Sequence, residues 1–361
     1  MSTKSITFKR FEDPPSGDFK VGITGIAGSV GTRLSASLRR VPGVTCVAGT
    51  DISSPNASVR GAILKSLGLE RHEGESEPFE TLFADCDLVV DARRRSKSIP
   101  EDLSGLKVPV LGQSVGSETS DTSDATRLLL PLVADKSDFM RVGDCNATAL
   151  AALIGPLRGC VEDVDLVITM MTNSLPETHR YSDIAVLGVR GVARSKVQAL
   201  YGELFGQHGI DVRLHGLHQV GGISCYLHEV TLHLSEGMNL ADVVGRLKNA
   251  PHVAFYSDAL GFSNNQNTYV VNERDDLCRK AGIEHPPVAV FSCVEEPNRT
   301  GPKRVRLMVG VLNKKIATAG NVDAINLLVQ AKQASCIGTL EEVMKTTDRQ
   351  MGWDEGREFL N

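Results

Sequence analysis

Through the first part of the chain, short runs of apolar residues alternate with segments of helical spacing. Residues 19–24 (FKVGIT) form one such run. A Gly-rich turn follows, and then a helical pattern to about residue 40. Residues 43–51 give a second short strand that ends in an acid, and residues 58–69 space their apolar positions as a helix does. The runs at 86–92, 108–114 and 139–144 read as further strands, and 122–135 as a helix opened by Ser, Thr and Asp. Continuous apolar strands alternating with helices predict a parallel sheet with helices on both faces.

After Cys145 the texture changes. A helix is expected over 145–160. Longer segments of alternating polarity then appear at 164–172, 211–220, 223–234, 286–297 and 305–313. Strict alternation marks half-buried strands of an antiparallel or mixed sheet. Helices are expected at 193–207 and 239–250, the second with Asn239 as its N-cap, and a last long helix starts at Asn321. Residues 1–19 are polar and carry Pro-Pro and Ser-Gly, so they read as a flexible tail or, at most, one added strand. The predicted organisation is that tail, a first domain over 20–144 joined by 321–361, and a second domain over 145–320.

Composition narrows the class. The chain has 361 residues, 41% of them hydrophobic and 23% charged, which fits about two globular domains and excludes wholesale disorder. Aromatics are only 5%, so aliphatic side chains must fill the cores. The net charge of −5 gives no sign of a nucleic-acid partner. Eight cysteines are scattered without a CxxC pair or metal-finger spacing, which suggests free thiols in a reducing compartment. No signal-peptide core and no run of about 20 apolar residues is present, so a cytoplasmic protein with no membrane partner is expected. A His215-x-x-His218 pair lacks a third ligand at convincing spacing, so no metal is expected.

The turn after the first strand reads Gly25-Ile26-Ala27-Gly28-Ser29-Val30-Gly31. Gly25 suits the tight turn, Gly28 allows a pyrophosphate near the backbone, and Gly31 allows close helix–strand packing. A Gly-rich turn without a ligand is the competing reading. Asp51 ends the next strand 20 residues after Gly31, where a carboxylate would accept hydrogen bonds from a ribose and repel a 2′-phosphate. It could instead cap the following helix, and Arg60 nearby could still accommodate the phosphate, so NAD or NADP is expected, with NAD favoured. These features make the fold class α/β: a Rossmann-type, parallel-sheet NAD(P) domain plus an α+β catalytic domain with a mixed or antiparallel sheet.

Cys145 stands between a strand and a helix, at the predicted domain boundary. A thiol at a helix N-terminus gains thiolate character, and the N–H groups beside it can cradle an oxyanion. A buried structural cysteine is the equal alternative from position alone. His228 lies in an alternating strand with Tyr226, Val230 and Leu232 on its face and Cys225, Glu229 and His233 on the other. By itself it reads as an ordinary strand histidine.

Cys145-Asn-Ala-Thr-Ala-Leu150 resembles the active-site segment of archaeal-type glyceraldehyde-3-phosphate dehydrogenases. Further stretches resemble the family in the same order: Asp87–Ala92, Gly112-Gln113-Ser114, Gly221–Leu234, Gly261–Gln266 and Asn321–Asn326. The resemblance covers about residues 20–350. It implies Cys145 as nucleophile with Asn146 beside it as a catalytic residue, His228 as general base, Gln113 as a cofactor-binding residue, and Asn321 on the nicotinamide carboxamide. The chemistry implied is a thiohemiacetal on Cys145, hydride loss to a nicotinamide, and a thioester opened by inorganic phosphate or water. A homotetramer is implied as well.

The chain also departs from that family. The strand expected to carry a phosphate-binding Arg pair reads Thr169-Met-Met-Thr172-Asn173 here, with His179-Arg180 a little later. A basic run, Arg93-Arg94-Arg95, follows the Asp91-Ala92 strand end. Arg clusters at the carboxyl end of parallel strands suit anions, although a solvated loop is the commoner meaning of such a run. The expectation is a small anionic aldehyde or acyl-phosphate substrate, held by Arg93, Arg94, Arg95, Thr172, His179 and Arg180. Two rivals are a semialdehyde dehydrogenase and a non-catalytic NAD-binding paralogue.

Overall fold

The structure is a computed structural model that describes residues 5–52, 55–72, 77–93, 103, 105–112, 132–134, 139–142, 145–172, 187–188, 198–199, 201–202, 204–206, 208–221, 225–256, 264–296, 303–333 and 339–360. The chain forms two compact units, one of residues 1–144 with 317–339 and the other of 145–316 with 340–361.

The first unit holds β1 (Ser5–Arg10), β2 (Phe19–Thr24), β3 (Val44–Ile52), β4 (Leu69–His72), β5 (Leu88–Asp91), β6 (Val110–Gly112), β7 (Leu132–Ala134) and β8 (Phe139–Val142). They form one sheet in the order β4-β1-β3-β2-β5-β6-β8-β7. The central pairs β3–β2, β2–β5, β5–β6 and β6–β8 are parallel, and the edges are antiparallel. The helices α1 (Ser29–Leu38), α2 (Pro55–Ser66) and α3 (Phe79–Leu82) belong to this unit. β5 is buried at all four positions, as a central parallel strand requires.

Of the tail or added strand expected over residues 1–19, Ser5–Arg10 form a strand, because Ile6 and Phe8 alternate inward and are 4% and 0% exposed. The end of the helix expected over 122–135 is strand β7, antiparallel to β8; residues 122–131 lie outside the described residues. The short strand β4 also follows α2 directly, where the helical spacing to Leu69 had hidden it.

The second unit begins with α4 (Cys145–Ile154), closed by a short 3₁₀ turn at Gly155–Leu157 that contains Pro156. Its sheet contains β9 (Val161–Thr172), β10 (Leu187–Gly188), β11 (Asp211–Gly221), β12 (Cys225–Leu234), β13 (Val253–Phe255), β14 (Val288–Glu296) and β15 (Arg304–Val311). The order is β10-β11-β9-β12-β15-β14-β13, with β11–β9 and β14–β13 parallel and the rest antiparallel, so the sheet is mixed as expected. This unit also holds α5 (Leu240–Lys248), α6 (Asn264–Lys280), α8 (Leu340–Met351) and α9 (Trp353–Leu360), whereas α7 (Asn313–Gln333) lies from Ala317 onward in the first unit. α5 opens with the expected Asn239 cap, whose side chain accepts from Ala241 and Asp242 N–H while Asp242 closes the capping box.

α7 starts at Asn313, eight residues before the expected Asn321. Ile316, Ala317 and Ala319, ahead of that position, are already buried in the helix. Residues 340–361 belong to the second unit, against the expectation that everything after 320 joins the first. The reason is a buried anchor: His252 bonds the Asp348 carboxylate through both its backbone N–H and its ring, Arg357 reaches the same carboxylate at 2.7 Å, and Trp353 packs edge-on against His252. No helix among the described residues is long and apolar enough to cross a membrane.

Candidate functional site

In the first unit the Gly-rich turn joins β2 to α1. Gly25 has φ +72°, a left-handed conformation that a side chain would strain. Gly25 and Ile26 N–H both bond Thr50 O, at 2.7 and 3.2 Å, so the end of β3 holds the turn. A Cβ on Gly28 would stand 2.8 Å from Gly25 O, and one on Gly31 would strike the same carbonyl. Gly28 is the N-cap of α1 and supplies no side-chain cap. The turn is therefore a bare-backbone cradle at a helix N-terminus, and it fits a dinucleotide pyrophosphate. Asp51 is half-buried at the carboxyl end of β3. Arg60 of α2 donates to Ala27 O at 2.8 Å, which puts a guanidinium against this turn.

Arg93 is corrected. It is neither a solvated loop cation nor free for an anion. Its Nε lies 2.7 Å from Asp91 Oδ1 and its Nη2 3.2 Å from Oδ2, with its side chain only 18% exposed. Thr24 Oγ1 donates to the same carboxylate at 2.6 Å. Asp91, at the end of a buried strand, needs a cation, and the next available residue is Arg93. Sequence reasoning missed this pair, although Asp-x-Arg at a strand end was the signal. Arg94, Arg95 and Gln113 lie outside the described residues. Asn321, fully buried in α7, donates its Nδ2 to Ala317 O at 2.8 Å, and its Oδ1 has no partner among the described residues. That leaves an acceptor suited to an amide N–H, such as that of a nicotinamide carboxamide.

In the second unit, Cys145 opens α4 and is partly exposed, so its sulfur sits at the positive end of the helix. Cys46, Cys86 and Cys225 are buried, and burial pushes each thiol up to about 12. His228 is wholly buried on β12, paired in register with Ile168 of β9 and Val309 of β15. Its Nε2 is 3.0 Å from Asn146 Oδ1, and Asn146 Nδ2 faces Met170 Sδ at 3.9 Å. In this network Oδ1 accepts, so Nε2 carries the proton and Nδ1 keeps the lone pair. Nδ1 is sealed from solvent and meets no partner among the described residues. Burial lowers the His228 pKa to about 3, so the ring is neutral at physiological pH.

Thr172 ends β9 opposite Gly221, and its side chain lies outside the described residues, as do His179 and Arg180. On the other face of β12, His233 and His215 each bond Asp165, at 2.6 and 2.7 Å. Burial alone would raise the Asp165 pKa. The bonds from His215 and His233 and the charge of Arg213 outweigh it and bring the carboxyl to about 2. Among the described residues no three His, Cys, Asp or Glu side chains are grouped to hold a metal ion.

No protein-family model matches this chain. Over 161 residues it is 32% identical to glyceraldehyde-3-phosphate dehydrogenases from two strains of Halobacterium salinarum, a match covering 38% of this chain and 45% of each relative. The matched part thus spans less than half the length of those relatives. Among solved structures, a chain described as a probable aspartate-semialdehyde dehydrogenase from Pseudomonas aeruginosa superposes with a TM-score of 0.57 at 13% identity, over 87% of this chain and 99% of that one. That likeness shows a common fold, α/β with two mixed sheets.

Proposed function

We propose that this chain is a nicotinamide-dependent oxidoreductase that acts on an aldehyde, or on an acyl phosphate in reverse, through Cys145. The observation that carries the reading is the Asn146–His228 hydrogen bond, which ties a buried neutral imidazole to the residue beside the helix-terminal thiol. The thiolate adds to the carbonyl carbon as the π pair moves to oxygen, which takes up the proton that the thiol released on ionising. That O–H proton passes to Nδ1 of His228 as the C–H hydride departs. Inorganic phosphate or water then attacks the resulting thioester and displaces the Cys145 thiolate. The Nε2–H bond to Asn146 holds the ring in the tautomer this step needs.

The turn Gly25–Val30, Asp51 and Asn321 are the residues we assign to a bound dinucleotide. When present, its nicotinamide supplies the hydride acceptor. Asp51 supports NAD, and Arg60 leaves NADP open. Glyceraldehyde 3-phosphate is the first substrate to try, because the partial matches are to enzymes named for it. A semialdehyde is the second reading, supported by the shared fold with a chain described as a probable aspartate-semialdehyde dehydrogenase.

The test is a panel of phosphorylated and carboxylated aldehydes with NAD or NADP, with and without inorganic phosphate, following cofactor reduction. Reduction by the native chain but not by Cys145→Ala is expected. No reduction with any pair overturns the proposal in favour of a non-catalytic binding protein, and an equal rate in the variant overturns the role given to Cys145.

A further inference from the structure

A cavity of about 330 Å³ opens in the first unit at the amino ends of β2 and β3. Ligands of parallel sheets bind at the carboxyl ends, so this cavity is not the dinucleotide cradle. Val44 lines it, and Asp51 stands near the other end of the same strand, a run of about 23 Å at roughly 3.3 Å per residue. Its volume lies at the small end of ligand pockets, about 300–1,000 Å³.

The lining is unusual in its charge. Leu38, Val44 and Leu69 give an apolar wall, and Arg10 and Arg39 stand in it. Arg10 continues the inward row of Ile6 and Phe8 on β1, so a guanidinium occupies the position where a third core side chain would fall. Its Nε is shut off from solvent and has no acceptor among the described residues. Buried donors are nearly always satisfied, so an orphaned one beside a cavity asks for a missing acceptor. The acid in the lining, Asp18, already accepts from the Thr45 hydroxyl. The last carbonyls of α1 are closed by Arg40 and Val41 N–H groups.

We propose that this cavity binds a small organic anion, a carboxylate or phosphate monoester with a compact apolar body, whose charged end meets Arg10 and Arg39. Bidentate guanidinium donors suit both headgroups. The site is separate from the proposed catalytic chemistry and does not depend on it.

Calorimetry on the full chain tests this, with benzoate and phenyl phosphate as probes, benzyl alcohol as the neutral control and inorganic phosphate as the anion without a body. One saturable site per chain is expected for benzoate or phenyl phosphate, and the better of the two identifies the headgroup. Arg10→Met should weaken it at least tenfold and Arg39→Ala, at an exposed position, severalfold, with saturating NAD leaving it unchanged. Bromobenzoate soaked into crystals should appear beside Arg10. No saturable binding of either probe overturns the proposal. So does binding insensitive to Arg39→Ala and to any folded Arg10 variant, binding displaced by NAD, or binding no tighter than that of the two controls.

Discussion

His228 and His233 stand five residues apart on one strand, and so on opposite faces of one sheet. On one face His228 bonds, among the described residues, a neutral amide, and burial lowers its pKa to about 3. On the other, His233 shares the Asp165 carboxylate with His215, and Arg213 adds its charge. Residue type is the same and each ring bonds through Nε2, but the chemistry differs because one partner is a neutral amide and the other a carboxylate. The buried face offers a neutral base with a lone pair to spare; the outer face offers ion pairs that steady the sheet.

The largest expected effect comes from breaking the buried face. His228→Ala should slow the hydride step by about 10²–10⁴-fold, measured by single turnover, while NAD binding stays unchanged. Asn146→Ala should come next. It leaves Nε2–H unsatisfied in the core, at a cost of about 1–3 kcal/mol in denaturant unfolding, and it frees the ring to change tautomer. The catalytic rate should fall more than the Michaelis constant changes. The smallest effect belongs to the outer face. Asp165→Asn should cost about 1 kcal/mol or less at neutral pH, because these groups are partly exposed and screened, and it should leave turnover unchanged.

Acidification sharpens the same contrast. The Asp165 carboxyl lies at about 2 when folded, against 3.8 as its ordinary value. Its contribution is present above about pH 4 and is lost as pH falls towards 2. His228 acts earlier on the pH scale: its folded pKa is about 3, and unfolding lets it charge from the ordinary 6.5 downward. Stability should therefore already decline between about pH 6.5 and 3, and replacing His228 with Leu should flatten that part of the curve while Asp165→Asn flattens only the lower part.

Much of this was legible in the residues. The parallel strands, the Gly-rich turn, the mixed sheet and the Asn239 cap follow from apolar runs, alternation and capping chemistry. Cys145, Asn146 and His228 were singled out because their segments resemble a known family, since spacing alone cannot tell a buried base from a packed strand histidine. What escaped depends on tertiary partners. Arg93 looked like part of a loop run until Asp91 claimed it. Ile6 and Phe8 are too few to announce a strand without β3 beside them. The last two helices join the second unit through His252 and Asp348, 96 residues apart in sequence.

We propose that Cys145 is a reactive thiol served by a neutral base, while the other cysteines among the described residues are packing. Peptide-resolved alkylation with iodoacetamide at neutral pH, at limiting reagent, tests it most directly. Modification of Cys145 should be fastest by at least about tenfold, leaving Cys46, Cys86 and Cys225 untouched, and activity should fall in step with it. A Cys145 that reacts no faster than Cys46 or Cys160 would contradict the account.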